Sequence, residues 1–282
     1  MEKVFVGSDA VRAGAVTPYQ LRSRFRAVCP GVYAPLSEPL SLRDRTVATW
    51  LWSGRHGVIA ELAATALHGS SWVDDDVPIA VVSRNTNPPV GIVTRNYRLA
   101  AGEVTTVCGL PVTTSARTAY DLGRLLPRSD AIARLDALRR AKPFQAADVL
   151  RIAAAHPGAR GVRQLRSLLP LVDAGAASPK ESELRLLLLD AGLPRPETQI
   201  AIVERFRPIA FLDMGWQDYQ VAAEYDGDQH RTDRRQFSKD VRRLEMLQSR
   251  GWLIVRVLAG DRPDDVVARV RAALLSRGYR DT

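Results

Sequence analysis

The sequence predicts a multi-domain α/β protein. Three observations carry that prediction. The chain has 282 residues, more than one domain of ordinary size holds. Short apolar runs of strand length alternate with segments of helical period along most of it. From Ser178 onward the segments follow the order α-β-β-β-α-β-α. The predicted parts are a winged helix-turn-helix over 1–40, a mixed α/β domain with its linker over 41–177, and a third domain over 178–282.

Composition sets what kind of protein this is. With 46% hydrophobic and 25% charged residues the chain has globular composition, not that of a disordered or fibrous one. No window approaches ~18 uninterrupted apolar residues, so neither a membrane-spanning helix nor a membrane partner is expected. The opening "MEKVFVGSDAVRAG" lacks the apolar run of a signal peptide. Cys29 and Cys108 have no metal-ligand spacing and predict two reduced thiols in a cytoplasmic protein. The net charge of +9, with an isoelectric point near 10.0, favours a polyanionic partner, nucleic acid first. Pro179–Thr282 carries 18 Lys/Arg against 17 Asp/Glu, so nearly all of the excess precedes it. Lysine is scarce beside arginine, so a GC-rich genome is the competing explanation of the charge.

In the first segment Ser8 is expected to cap a short helix, "DAVRAG". Thr17 caps a second, "TPYQLRSRF", with Pro18 at its first position. "AVCPGVYAP" reads as strand-turn-strand around Pro30-Gly31. Two short helices and a ribbon make a winged helix-turn-helix. Its second helix offers Tyr19, Gln20, Arg22, Arg24 and Arg26, the residue types that reach bases and phosphates. A small basic helical hairpin with no DNA role fits the same pattern.

In the second segment "LRDRTVATWLW" and "AELAATALHG" read as helices, and "VPIAVVS" and "GIVTRN" as strands separated by the turn "NTNPPV". Ser115 is expected to cap the helix of "VTTSARTAYDLGRLL", and "DAIARLDALRRA" and "AADVLRIAAAH" follow as helices. No phosphate loop, nucleophile motif or metal cluster is present here. His56, His68 and His156 are isolated and read as packing or surface residues.

In the third segment Ser178 and Pro179 open a helix with Glu181 at the capping-box position and Leu184, Leu187, Leu188 and Ala191 on one apolar face. "TQIAIVE", "PIAFLDMGW" and "QVAAEYDG" read as strands. A helix over 233–250 is expected to turn Phe237, Val241, Leu244 and Leu247 inward, before a buried strand "GWLIVRVL" and a closing helix.

The stretch "EYDGDQHRTDRRQFSKDVRR", Glu224–Arg243, collects acids ahead of a basic helix. A tight turn centred between Asp218 and Tyr219 sets Asp213 opposite Glu224, with Asp226 on the same face. Like charges placed so are destabilising and call for a cation. Oxygen ligands at a partly open site suit Mg²⁺ or Mn²⁺. Arg243 or Arg256 neutralising the acids in an ion-pair network satisfies the same need. Glu181 has a purely structural reading as a cap, and Glu183 replaces it if the register differs by half a turn.

The residues "PxE…LR…L…AGL", the aspartate of the second strand, "xAxEYDGxxH" and "D…RR…L…GWxxxR" together resemble the very-short-patch-repair (Vsr)-like endonuclease domain of the PD-(D/E)XK superfamily. The resemblance covers Ser178 to about Gly278. It implies a restriction-endonuclease-like core that hydrolyses DNA phosphodiesters with Mg²⁺ or Mn²⁺. Asp213 and Glu224 would then hold the metal, joined by Asp226 on their face. Glu181 matches the acid of the first helix, and His230 matches a histidine that serves the attacking water or the leaving group. Arg234, Arg235, Lys239 and Arg242 would hold the DNA backbone, with Arg243 and Asp240 at further family positions. One departure stands out: the superfamily usually has lysine where this chain has Asp226, a substitution that Vsr-like domains tolerate. "GVYAP", "AELAATALHG" and "GLPVTTSARTAYDL" resemble the front of AbiEi-family antitoxins of type IV toxin–antitoxin systems, over about Val4–Arg140. That likeness implies DNA binding, a cognate toxin as a further partner, and a rival reading: a transcriptional regulator or antitoxin with an inactive nuclease domain.

Overall fold

The structure, a computed structural model, describes residues 3–85, 87–227 and 234–281, with the backbone alone for 234–239. It divides into two compact units, Met1–Leu126 with Leu138–Pro170, and Pro127–Ala137 with Leu171–Thr282. The division falls inside one helix, α6 (Arg128–Ala141).

The first unit opens with β1 (Phe5–Val6), α1 (Gly7–Arg12), α2 (Pro18–Arg24), β2 (Phe25–Cys29) and β3 (Val32–Pro35). The strands form an antiparallel sheet in the order β1-β3-β2. Thr17 and Gln20 close a reciprocal capping box on α2, the Gln20 N–H donating to Thr17 Oγ1 at 3.2 Å and the Thr17 N–H to Gln20 Oε1 at 2.8 Å. Ser8 does not cap α1. The helix starts at Gly7, two residues before the expected Asp9, and the Gly7 N–H is satisfied instead by the Gly31 carbonyl at 2.9 Å. A Cβ at Gly7 would lie 2.6 Å from the Tyr33 ring, so only glycine lets α1 approach the sheet this closely. Val4, Cys29, Val32, Ala48 and Leu51 form the core beneath.

The same unit holds a second sheet of β4 (Val58–Ala60), β5 (Ile79–Val82), β6 (Ile92–Arg95), β7 (Val104–Val107) and β8 (Leu110–Thr113), in the order β6-β5-β4-β8-β7. β5 runs parallel to β6, and β4 parallel to β8. Further helices of this unit are α3 (Leu42–Trp52), α4 (Glu61–Leu67), α5 (Ser115–Leu125), α7 (Ala146–Ala155) and α8 (Val162–Leu168). Ile59, Ile79, Val81 and Val112 are sealed at the centre. The cap of α5 is Thr114, not Ser115: the Thr114 hydroxyl accepts from the Arg117 N–H at 3.3 Å. His68 is buried against the Thr113 carbonyl, His156 packs on Tyr120, and His56 is exposed. Cys29 and Cys108 are separate thiols.

The second unit carries α9 (Pro179–Asp190), β9 (Glu197–Glu204), β10 (Arg207–Trp216), β11 (Val221–Asp226), α10 (Arg234–Ser249), β12 (Leu253–Leu258) and α11 (Pro263–Ser276). Their sheet order is β12-β11-β10-β9, antiparallel except for the parallel pair β11–β12. Both faces of the sheet are covered. Val221 and Ala223 pack with Leu184, Leu188, Val270 and Leu274, while Ala222 packs with Leu247 and Trp252. Two expectations fail here. Val241 is exposed rather than inward, because the face of α10 that meets the sheet runs through Leu247. β12 is an edge strand with Arg256 exposed, so it is only half buried. The β9–β10 hairpin turns through Arg205 and Phe206, both left-handed, and leaves Phe206 fully exposed at its tip. No helix among the described residues is long and apolar enough to cross a membrane.

Candidate functional site

The hairpin between β10 and β11 pairs Met214 with Ala223, Gly215 with Ala222 and Trp216 with Val221, around a short 3₁₀ turn at Gln217–Tyr219. This register is the one a turn centred between Asp218 and Tyr219 produces. The next step along it brings Asp213 beside Glu224, and the Tyr225 N–H donates to Asp213 Oδ2 at 3.0 Å. Asp213, Glu224, Asp226, Asp240, Arg243 and Arg256 line one cleft of about 400 Å³.

The cleft contains acids and guanidinium groups in an uneven match. Arg243, from α10, grips Glu224 with two hydrogen bonds of 2.8 and 2.5 Å and donates to the Phe211 carbonyl at 2.7 Å. That grip raises the arginine's pKa. Arg256, paired with Glu224 in the parallel ladder, directs its guanidinium to Asp226. Among the described residues Asp213 receives no such partner. Burial, and then the charges of Glu181 and Glu224, push its carboxyl up to about 7, against the weaker pull of the Tyr225 N–H and Arg243.

Glu181 is 8% exposed and turned to the start of its own helix. Its N–H donates to the Ser178 hydroxyl at 3.2 Å, and its Oε2 accepts from the Ala177 N–H at 2.8 Å and from Gln199 at 3.3 Å. The buried pair of Arg185 and Asp136, at 2.6 Å, fixes α9 from behind. Gln199 was not legible as a site residue. It is a glutamine in a strand, yet it holds a left-handed backbone conformation and touches Glu181.

The donor set is all oxygen, which suits Mg²⁺ or Mn²⁺ in type. In seating it does not fit an ion. Glu224 is committed to Arg243 and Asp226 to Arg256. Among the described residues no group of three or more His, Cys, Asp or Glu side chains is placed to share a metal. His230 lies outside the described residues. Arg234, Arg235 and Lys239 sit on the first turns of α10, where only the backbone is described. Arg242 is exposed on the same helix.

On α2, Tyr19 is 74% exposed and Arg22 and Arg24 are exposed, while no residue of this helix is buried. Arg22 and Arg24 form no ion pair among the described residues. Gln20 is half-buried, and its side chain is spent on the capping box.

No family model matches the chain, and no solved structure matches it. Two curated proteins of Mycobacterium tuberculosis do, Uncharacterized protein MT2308 from strain CDC 1551 / Oshkosh and Uncharacterized protein Rv2248 from strain H37Rv. Each is 32% identical over 245 residues, covering 85% of this chain and 89% of the relative. Identity at this level over nearly the whole of both chains means that the chain belongs to the same family as these two mycobacterial proteins.

Proposed function

We propose that the chain binds DNA and that its second unit is a Vsr-like endonuclease domain acting on a phosphodiester. One observation carries the nuclease reading. The β10–β11 hairpin gathers Asp213, Glu224 and Asp226 in one cleft, where among the described residues the Asp213 carboxyl has no ion-pair partner of its own. An acid cluster left short of positive charge costs stability, and its retention beside a cleft points to a working site. The reading calls for Mg²⁺ or Mn²⁺ as cofactor, and for Arg243 to release Glu224 before Glu224 can serve as a ligand. The bare face of α2, with Tyr19, Arg22 and Arg24, supports DNA binding by the front of the first unit.

A second reading is a regulator or antitoxin that binds DNA without cutting it. The two-bond grip of Arg243 on Glu224 favours it. Incubation of the protein with supercoiled plasmid, with Mg²⁺, Mn²⁺ or EDTA, separates the two. Metal-dependent nicking that is lost in both Asp213→Asn and Glu224→Gln is the expected result. Plasmid that is bound but intact under both metals establishes the second reading in its place.

A further inference from the structure

We propose that the first unit carries a phosphate-binding cleft at the end of its five-stranded sheet, separate from α2, and that the phosphodiester backbone of DNA fills it. The parallel strands β5 and β6 deliver their carboxyl ends to the same edge, in register at Val82 and Arg95. Ligands of open α/β sheets settle outside such carboxyl ends. Here the loops that leave them wall a cleft of about 970 Å³, with His56 facing from the segment before β4.

The lining is one-sided in charge. Arg84, Arg95 and Arg98 line the cleft with His56, and among the described residues no acid does. Arg95 is answered from outside the lining by Glu61, through hydrogen bonds of 2.6 and 3.1 Å. Arg84 and Arg98 are exposed and have no ion pair among the described residues. The working charge of the cleft is theirs. Asn96 adds an uncharged donor at the rim.

Tyr97 marks the same place independently. Its ring carries Arg117 at 4.6 Å and Arg124 at 5.6 Å, a stack that ties the cleft to the buried ion cluster behind it. In that cluster Arg117 meets Asp121 and Glu103, so its charge is spent. The Tyr97 hydroxyl is buried and has no hydrogen-bond partner among the described residues. Burial raises its pKa, which keeps it a neutral donor. Tyr97 thus forms part of the wall of the cleft, and Arg84 and Arg98 supply its charge.

Phosphate reaches such a cleft as a DNA backbone or as a free nucleotide, and the test has an arm for each. Only the choice of DNA rests on the function proposed above. Wild type, the double variant Arg84→Ala/Arg98→Ala, the charge-keeping Arg84→Lys/Arg98→Lys, and Arg151→Ala as a remote control are titrated with a short fluorescein-labelled duplex over a range of salt. The same four proteins are titrated with ATP by calorimetry. The expected result is weaker duplex binding by the double alanine variant, with a salt slope lower by about two, one per arginine. The lysine pair restores most of it, and Arg151→Ala leaves it unchanged. ATP binding that is lost in the alanine pair, with duplex binding unaltered, keeps the site and replaces its ligand by a free nucleotide. If neither ligand distinguishes the alanine pair from wild type, the cleft is overturned. Failure of wild type to bind duplex at all removes the DNA reading, while the ATP arm still decides the cleft.

Discussion

Asp136 is a fully buried aspartate of the second unit and Asp213 a half-buried one, and burial is the first cause that raises the pKa of each. Their surroundings differ in sign. Every other influence on Asp136 favours its charge: Arg185 at 2.6 Å, the Ser182 hydroxyl at 2.7 Å and the Asp173 N–H at 2.7 Å. Asp213 meets two more acids, whose push outweighs the pull of one N–H and of the more distant Arg243. The first is a sealed structural pair that ties α6 to α9. The second is an unbalanced charge maintained beside a cleft. Burial alone therefore does not distinguish a paired structural carboxylate from one that is a candidate for function; the sign of its neighbours does.

The largest test of this contrast is Asp136→Ala. It strands a fully buried Arg185, and the loss expected is about 3–5 kcal/mol of unfolding free energy, read by urea or thermal melts. A loss below about 1 kcal/mol would mean that Arg185 finds other partners. Asp213→Asn should act in the opposite direction. The unfolded chain releases this proton near 3.8, and the folded protein keeps it up to about 7. The unfolded state thus holds fewer protons across that window, and the contribution of Asp213 to stability falls as pH rises from about 4 to 7, then levels off. At pH 8 with EDTA, Asp213→Asn should be the more stable by about 1–3 kcal/mol, and the gain should vanish near pH 4. A variant less stable at pH 8 would show that the cleft is balanced by a cation after all. The smallest effect belongs to Arg256→Ala. Its pair with Asp226 is half-exposed, so the expected change is under about 1 kcal/mol, and it shrinks further in salt.

Local chemistry made much of this fold legible. The Thr17 capping box, the Ser178 cap and the β10–β11 register follow from residues close in sequence, and each forms in the structure. Strands of three or four residues, β4, β7 and β8, escaped notice because they are too short for periodicity to register. In the site, the grouping of Asp213, Glu224 and Asp226 was readable from strand alternation. Arg243 and Arg256 were named as possible neutralising partners, but which acid each takes depends on how α10 and β12 return to the sheet. Gln199 was not readable at all, since its contact with Glu181 is made across elements.

The outer strand β9 has a consequence for the protein in concentrated solution. One side of it is an open sheet edge, and Val203, Phe206, Ile209 and Phe211 stand exposed along its hairpin. Edges of this kind add strands from neighbouring chains, and apolar side chains deepen the contact. Glu204, Arg205 and Arg207 interrupt the run, and the net charge of +9 keeps like molecules apart. That repulsion is screened beyond about 8 Å at physiological ionic strength. Added salt therefore weakens this colloidal protection, and self-association is expected to begin at the hairpin.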